Sequence, residues 1–460
     1  MPVAAGTHDE PAAGPGRRAD LRTRSRARAI VQANSRGHDV PTTEPSLRER
    51  LHFLLLNIGH FLDHLLMLVY ATAAALVLAG EWRMSYAELV PYATPGFVAF
   101  GLFALPAGWI ADRWSREGMM VVFFLGAGLA AIATGFVRTP AEMAAGLFAI
   151  GMFAAIYHPV GLALVYDLKP KAGMAIALNG VWGNLGVGSA ALLTGLLIDA
   201  AGWRAAFVVP GVVSLAVGLV YAVLLWSTIA GRRVRPPAVA APPPATVVVP
   251  SAVAPSRGPE VRPSDDARRG EVWRVAAIVL FTLALSSLVF QATTFALPKV
   301  LDERLAGIAG SATEVGWLAF LVFAVASLAQ LVVGAALDRC GPRPVFLAVT
   351  AIQVAFFAAM PGLAGWAAWA VALGFMVGAF GQIPINDFII GRMATGERRA
   401  SIYGARFVIS FGVLAASLPF IAWIHAGYGF DMLFRVLAVV ALFVFGAALL
   451  LPRKLPEPVG

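Results

Sequence analysis

From Leu51 onward the chain alternates long apolar stretches with short polar loops. Each stretch holds about 20 residues, enough to cross a hydrocarbon core of about 30 Å as an α-helix. The pattern predicts twelve spans, at 51–79, 86–110, 118–137, 142–166, 173–199, 204–229, 273–298, 314–337, 344–362, 366–392, 400–424 and 430–451. Residues 231–272, rich in Pro from Pro236 to Pro263 and in Arg, interrupt the series and read as an extended linker between two six-helix halves, 51–230 and 273–451. Residues 1–50 contain no apolar run and read as a disordered basic tail, and 452–460 as a short second tail.

Composition agrees with the pattern. Hydrophobic residues make up 59% and charged residues 13% of the 460, and mean hydropathy is +0.77. A globular domain carries about 25% charged residues, so a soluble enzyme is excluded and an all-α integral membrane protein is expected. The net charge of +9 does not point to nucleic acid, because the basic residues lie in loops and tails. Arg113, Arg116, Lys169, Lys171, Arg339, Arg343, Arg392, Arg398, Arg399, Arg453 and Lys454 on one side outnumber Arg83, Arg138, Arg204, Lys299, Arg304 and Arg435 on the other. The positive-inside rule then places both termini and the linker in the cytoplasm.

The one cysteine, Cys340, excludes an internal disulfide framework and a cysteine-built zinc site. H-E-x-x-H, G-x-S-x-G and Walker A sequences are absent, which disfavours an intramembrane protease and an ATP-driven pump. No metal site and no cofactor are expected.

Shifting the chain by 226 residues superimposes Gly108, Asp112 and Arg113 on Gly334, Asp338 and Arg339, and Gly186 on Gly412. A shift of 227 puts Gly202, Trp203 and Phe207 on Gly429, Phe430 and Phe434. The two halves therefore read as a duplication.

Charged groups within membrane spans are costly and mark pathways or buried pairs. Here they are Asp63, Asp387 and Arg406, accompanied by His60, His64 and His158. On the first helix Asn57, His60, Asp63 and His64 fall within a wedge of about 120°. Asp63 and His158 have nearly the same depth, about 18 Å from the start or end of their spans. Histidine exchanges protons near neutrality, which makes this pair a candidate proton carrier. Two structural alternatives stand beside it: Asp63 pairs with His60 or His64, and His158 bonds a carbonyl freed by Pro159. Asp387 and Arg406 reach similar depth on neighbouring helices and form either a salt bridge or an anion site. Gln291, Gln382, Asn386 and Tyr403 are candidates for uncharged hydrogen bonds to a substrate or between helices. Tyr157, Trp182, Trp203 and Trp317 are candidates for the cavity or for helix interfaces. Gly180, Gly183, Gly186 and Gly188 read as one small-residue face on the fifth helix.

Twelve spans, two matching halves, a long linker and G-x-x-x-D-R-x-x-R at Gly108 to Arg116 resemble the major facilitator superfamily of secondary transporters. The resemblance implies two bundles rocking about a midplane site whose N-terminal half is lined by the first and fourth helices. It also implies gating loops, with Asp112, Arg113 and Arg116 as a first lock and Asp338, Arg339 and Arg343 as a second. Ser115, Glu117 and Pro342 depart from the family pattern. Tyr157-His158-Pro159, Asn386-Asp387 and Arg406 are similar to fosmidomycin-resistance-like members. The fifth-helix glycines are similar to the drug/proton antiporter signature, without its proline.

The expected function is proton-coupled export of a drug-like or metabolic compound. Proton-coupled uptake of an organic acid, sugar or similar nutrient is the alternative, and a non-transporting receptor a remoter one. The expected setting is a bacterial inner membrane, with a small molecule, protons and the bilayer as partners, no nucleic acid, and a monomeric state.

Overall fold

The computed structural model describes residues 46–168, 172–231, 265–393 and 399–453. The chain divides into two units, Met1–Arg50 and Leu51–Gly460, and the second carries the architecture. Most of the basic tail, the linker from 232 to 264 and the last residues lie outside the described part.

Eleven helices among the described residues are long and apolar enough to cross a membrane. They are α1 (Leu47–Trp82), α2 (Tyr86–Arg113), α3 (Arg116–Thr134), α4 (Pro140–Asp167), α5 (Met174–Ala201), α6 (Trp203–Trp226), α7 (Gly270–Arg304), α8 (Ala312–Cys340), α9 (Pro342–Ala359), α10 (Gly365–Ile390) and a final run, Ile409–Leu449. Gly429 breaks that run with φ 70 and ψ −174, a conformation outside the helical range. It separates α11 (409–428) from α12 (430–449) and brings the number of spans among the described residues to twelve. The helix of α7 begins at Asp265, inside the stretch read as linker.

The duplication has a physical basis at the same glycines. Gly202, between α5 and α6, takes φ +82, and its counterpart Gly429 takes φ +70. A left-handed residue ends one helix and lets the chain turn into the next, and glycine adopts it without a Cβ clash. The next residue in each half, Trp203 or Phe430, is 2% exposed and anchors the turn in the core. Ser115 falls opposite Gly341, which has φ +78. Ser115 instead adopts extended backbone and its side chain accepts from the Gly118 N–H, capping α3. The family's glycine is thus replaced by a helix cap. Similar caps start α2 at Ser85, α4 at Thr139 and α8 at Ser311, each with an acid three residues on.

The halves meet where α5 packs along α8 and α2 along α11. A Cβ on Gly195 would lie 2.2 Å from the Ala312 carbonyl oxygen, and one on Gly316 2.6 Å from that of Ala191. Such close approach is how helices associate where lipid offers no hydrophobic drive. At the end of α5 the Asp199 carboxylate accepts from the Thr313 N–H and hydroxyl at 2.7 and 2.6 Å. At the same end Tyr86 meets His425 edge-on at 5.3 Å, and His425 lies 3.4 Å from Glu303. One end of the molecule is therefore closed by contacts between the halves.

The four fifth-helix glycines do not share one face. Gly186 approaches α1, where a Cβ would sit 2.3 Å from the Phe61 carbonyl oxygen, and Gly183 approaches His60. Gly188 faces Phe320 and Phe323 of α8, and Gly180 has nothing within 4 Å. At 100° per residue position 188 lies across the helix from 183 and 186. The helix uses glycine against two neighbours rather than one. Gly186→Ala should therefore lower thermal stability in detergent, by about 1–3 kcal/mol from backbone overlap. Gly180→Ala should be neutral or stabilising by at most about 1 kcal/mol. Equal melting temperatures for the two variants would contradict this packing.

Candidate functional site

The polar face of α1 is turned inward. Asn57, His60 and Asp63 are buried, Asp63 completely, while His64 is half-buried. Helix α4 reaches them through an irregular turn. Its α-helical part ends at Ala154, and Tyr157–Gly161 forms a π turn before the helix resumes at Leu162. Pro159 sits in this turn and has no N–H to give the ladder, so widening the turn accommodates it. On α2, a Cβ at Gly108 would lie 3.4 Å from the proline ring, which puts the loop motif beside this turn.

The π turn carries His158 to α1, with its Nε2 3.4 Å from Asp63 Oδ2. Neither carboxylate oxygen of Asp63 receives a hydrogen bond among the described residues. The aspartate faces His158 rather than His60 or His64, and His158 faces the carboxylate rather than a freed carbonyl. Phe100 of α2 packs edge-on against His158 at 5.7 Å and against Phe411 of α11 at 5.4 Å.

The remaining partners fix the histidines. His60 Nδ1 lies 2.8 Å from the Asn179 carbonyl oxygen. A carbonyl only accepts, so Nδ1 carries the proton and Nε2 presents a lone pair. His64 Nε2, 3.2 Å away, can donate to it. Tyr157 stacks on the His60 ring at 4.8 Å. Its hydroxyl donates to the Leu56 carbonyl at 2.8 Å and accepts from Asn179 Nδ2 at 2.8 Å. Asn179 Nδ2 also donates to Asn57 Oδ1 at 2.9 Å. A Cβ at Gly183 would stand 2.6 Å from the His60 ring, so that glycine makes room for the imidazole. Tyr157 and Asn57 are buried and engaged with one another's supports, holding the site rather than facing open space.

The second half contributes amides. Gln291 on α7 and Gln382 and Asn386 on α10 are buried. Gln382 Nε2 donates to Gln353 Oε1 of α9 at 2.6 Å. Gln291 Nε2, Gln382 Oε1 and Asn386 Oδ1 have no hydrogen-bond partner among the described residues. Asp387 is exposed. The side chains of Tyr403 and Arg406 lie outside the described residues, and with them the expected Asp387–Arg406 pair. Trp203 is buried against Trp82, Trp182 is half-buried, and Trp317 is exposed.

At the end opposite the closed one, Arg116 joins Asp112 and Asp167, both at 2.8 Å, and so ties the α2–α3 loop to the end of α4. Arg113 stacks over Trp109 at 4.0 Å. In the second copy Arg343 donates to the Leu449 carbonyl at 2.9 Å, and Asp338 and Arg339 form no salt bridge among the described residues. A Cβ at Gly334 would meet nothing within 4 Å. Both loops thus make their described polar contacts within their own half.

Asn179 and Gln353 were missing from the sequence reading. Each is an uncharged amide inside an apolar helix, and that was the signal available.

The match to known proteins runs the length of this architecture. The model of the Major Facilitator Superfamily fits residues 56–309 and 279–460. The chain is 26% identical over 392 residues to a gallate transporter of Pseudomonas putida, covering 80% of this chain and 84% of that protein. It is 33% identical over 141 residues to a puromycin resistance protein of Streptomyces alboniger, covering 30% and 28%. Among solved structures, an inward-facing, occupied bacterial homolog of the human lysosomal transporter Spinster superimposes with a TM-score of 0.66 at 14% identity, over 88% of this chain and 96% of that one. Its sequence is too distant to show more than a shared fold. Twelve membrane helices in duplicated halves, with the loop motif in place and the family model matched across both, make this multi-pass membrane protein a member of the Major Facilitator Superfamily.

Proposed function

We propose that the protein carries a small aromatic carboxylic acid into the cell by alternating access, together with protons that bind at Asp63 and His158. The observation that carries the reading is the completely buried Asp63 carboxylate, with the His158 imidazole 3.4 Å away. An ionised carboxylate without donors costs several kcal/mol in a protein interior. It persists there only if a proton or a cation answers its charge. His158, partly exposed, can take a proton from the cavity and share it with Asp63. Likeness to the gallate transporter over 80% of the chain supports an aromatic acid as the cargo.

The buried amides of Gln291, Gln382 and Asn386 supply substrate hydrogen bonds from the second half. Asp112, Arg113 and Arg116, with the second copy at Asp338, Arg339 and Arg343, act as loop locks that exchange partners as the halves rock. The excess of Lys and Arg places the termini and these loops in the cytoplasm, and the setting is a bacterial inner membrane with the protein acting as a monomer. Export of a drug-like cargo is the second reading, favoured by the 33% identity to the puromycin resistance protein over its shorter match.

Proteoliposomes loaded with a pH dye test the reading with gallate, other hydroxybenzoates and puromycin as cargo. An inward proton movement should accompany gallate or a hydroxybenzoate. Asp63→Asn should abolish proton-driven accumulation while leaving exchange of internal for external substrate. Unchanged proton-driven flux in that variant would dismiss Asp63. His158→Gln should slow proton-driven uptake by about a hundredfold, the usual contribution of a positioned proton-transfer group, with exchange again retained. Puromycin-driven proton release, with no response to the acids, would establish the second reading instead.

A further inference from the structure

The transport reading uses one histidine and leaves two unexplained. His60, His64 and His158 each offer a ring nitrogen, and these three atoms lie within 4.8 Å of one another. We infer that these histidines form a binding site for a divalent transition-metal cation of the zinc class, with the Asp63 carboxylate beside His158 as its counter-charge.

The donor set is three imidazoles, which with one further ligand such as water is the chemistry Zn²⁺ and Co²⁺ take in four-coordinate sites. The spacing fits. Bonds of about 2.1 Å in a tetrahedron separate neighbouring nitrogens by about 3.4 Å, and His60 Nε2 and His64 Nε2 stand 3.2 Å apart, so an ion would replace the hydrogen bond between them once His64 presents its Nε2 lone pair. Both project from one face of α1, four residues apart, while the π turn of α4 supplies the third ring from the opposite side.

Orientation fits as well. A metal-bound histidine usually gives its other ring N–H to a carbonyl or carboxylate, which fixes its tautomer. His60 Nδ1 makes that bond to the Asn179 carbonyl at 2.8 Å, leaving Nε2 to bind. Tyr157 and Gly183 hold the ring in place from two sides.

A second observation also points to a cation. Asp63 is 0% exposed, both its oxygens lack hydrogen-bond donors among the described residues, and Oδ2 lies beside His158 Nε2. Packing alone would explain three touching rings but gives no reason for a carboxylate without donors next to them. His64 and His158 are partly exposed, so an ion can reach the cluster from their side. The inference goes beyond the transport reading: a cation bound here competes with the proton assigned to Asp63, and its binding can be measured without transport.

The test uses the full chain, purified in detergent and stripped with a chelator, then titrated with Co²⁺. One saturable equivalent should bind, giving the intense visible absorption of four-coordinate Co²⁺, and Zn²⁺ should displace it. His60→Gln and His64→Gln, checked for unchanged monodispersity, should each weaken binding by about tenfold or more. Wild-type protein showing only the weak absorption of six-coordinate Co²⁺ would overturn the proposal without reference to any variant. So would tight binding undiminished in both variants, which would place the ion elsewhere on the chain. If Co²⁺ binds as expected but gallate moves no protons, the transport reading fails and the metal site stands; the reverse pattern removes the metal site alone.

Discussion

A carboxylate carried into the middle of an apolar helix bundle has to be answered by donors, a cation or a proton, because leaving its charge unanswered costs several kcal/mol. Asp63 accepts no hydrogen bond among the described residues, and the surrounding structure is arranged accordingly. The π turn around Pro159 exists at the depth where it brings His158 within 3.4 Å. Gly183 gives up its side chain so that His60 can lie against α5, and Asn179 fixes both the His60 ring and the Tyr157 hydroxyl. The site is therefore a property of three helices, α1, α4 and α5, which all belong to the first half.

The two halves share a fold without sharing chemistry. Gly202 and Gly429 turn the chain in the same left-handed way, and Trp203 and Phe430 bury the same corner. Yet the first half concentrates imidazole and carboxylate, and the second presents the amides of Gln291, Gln353, Gln382 and Asn386. The seam between them is glycine-lined along α5 and α8, where the backbones approach closely.

Much of the fold was legible because membrane helices announce themselves by length and apolarity, and because repeated glycines at fixed spacing carry backbone meaning. The depth of Asp63 and His158 could be counted along straight helices, and that count put them opposite each other. The rest needed tertiary structure. Gly188 was grouped with Gly183 and Gly186 because small residues were counted without their angle around the helix. Asn179 carries no charge and no motif, so its contacts with His60, Tyr157 and Asn57 become visible only when α5 is packed against α1 and α4. The tautomer of His60 depends on a backbone carbonyl, a group every residue has, so no sequence pattern marks it. Pro159 hinted at a distortion, but whether it kinks the helix or widens it into a π turn depends on what α1 and α2 place around it.

Infrared difference spectroscopy on the membrane-embedded protein would test the central claim most directly, since a protonated carboxylic acid has its own carbonyl stretch. Addition of gallate should change that band in the wild type, and Asp63→Asn should remove the change. A band that does not respond to substrate, or that responds equally in Asp63→Asn, would contradict the assignment of Asp63 as the group whose proton is linked to transport.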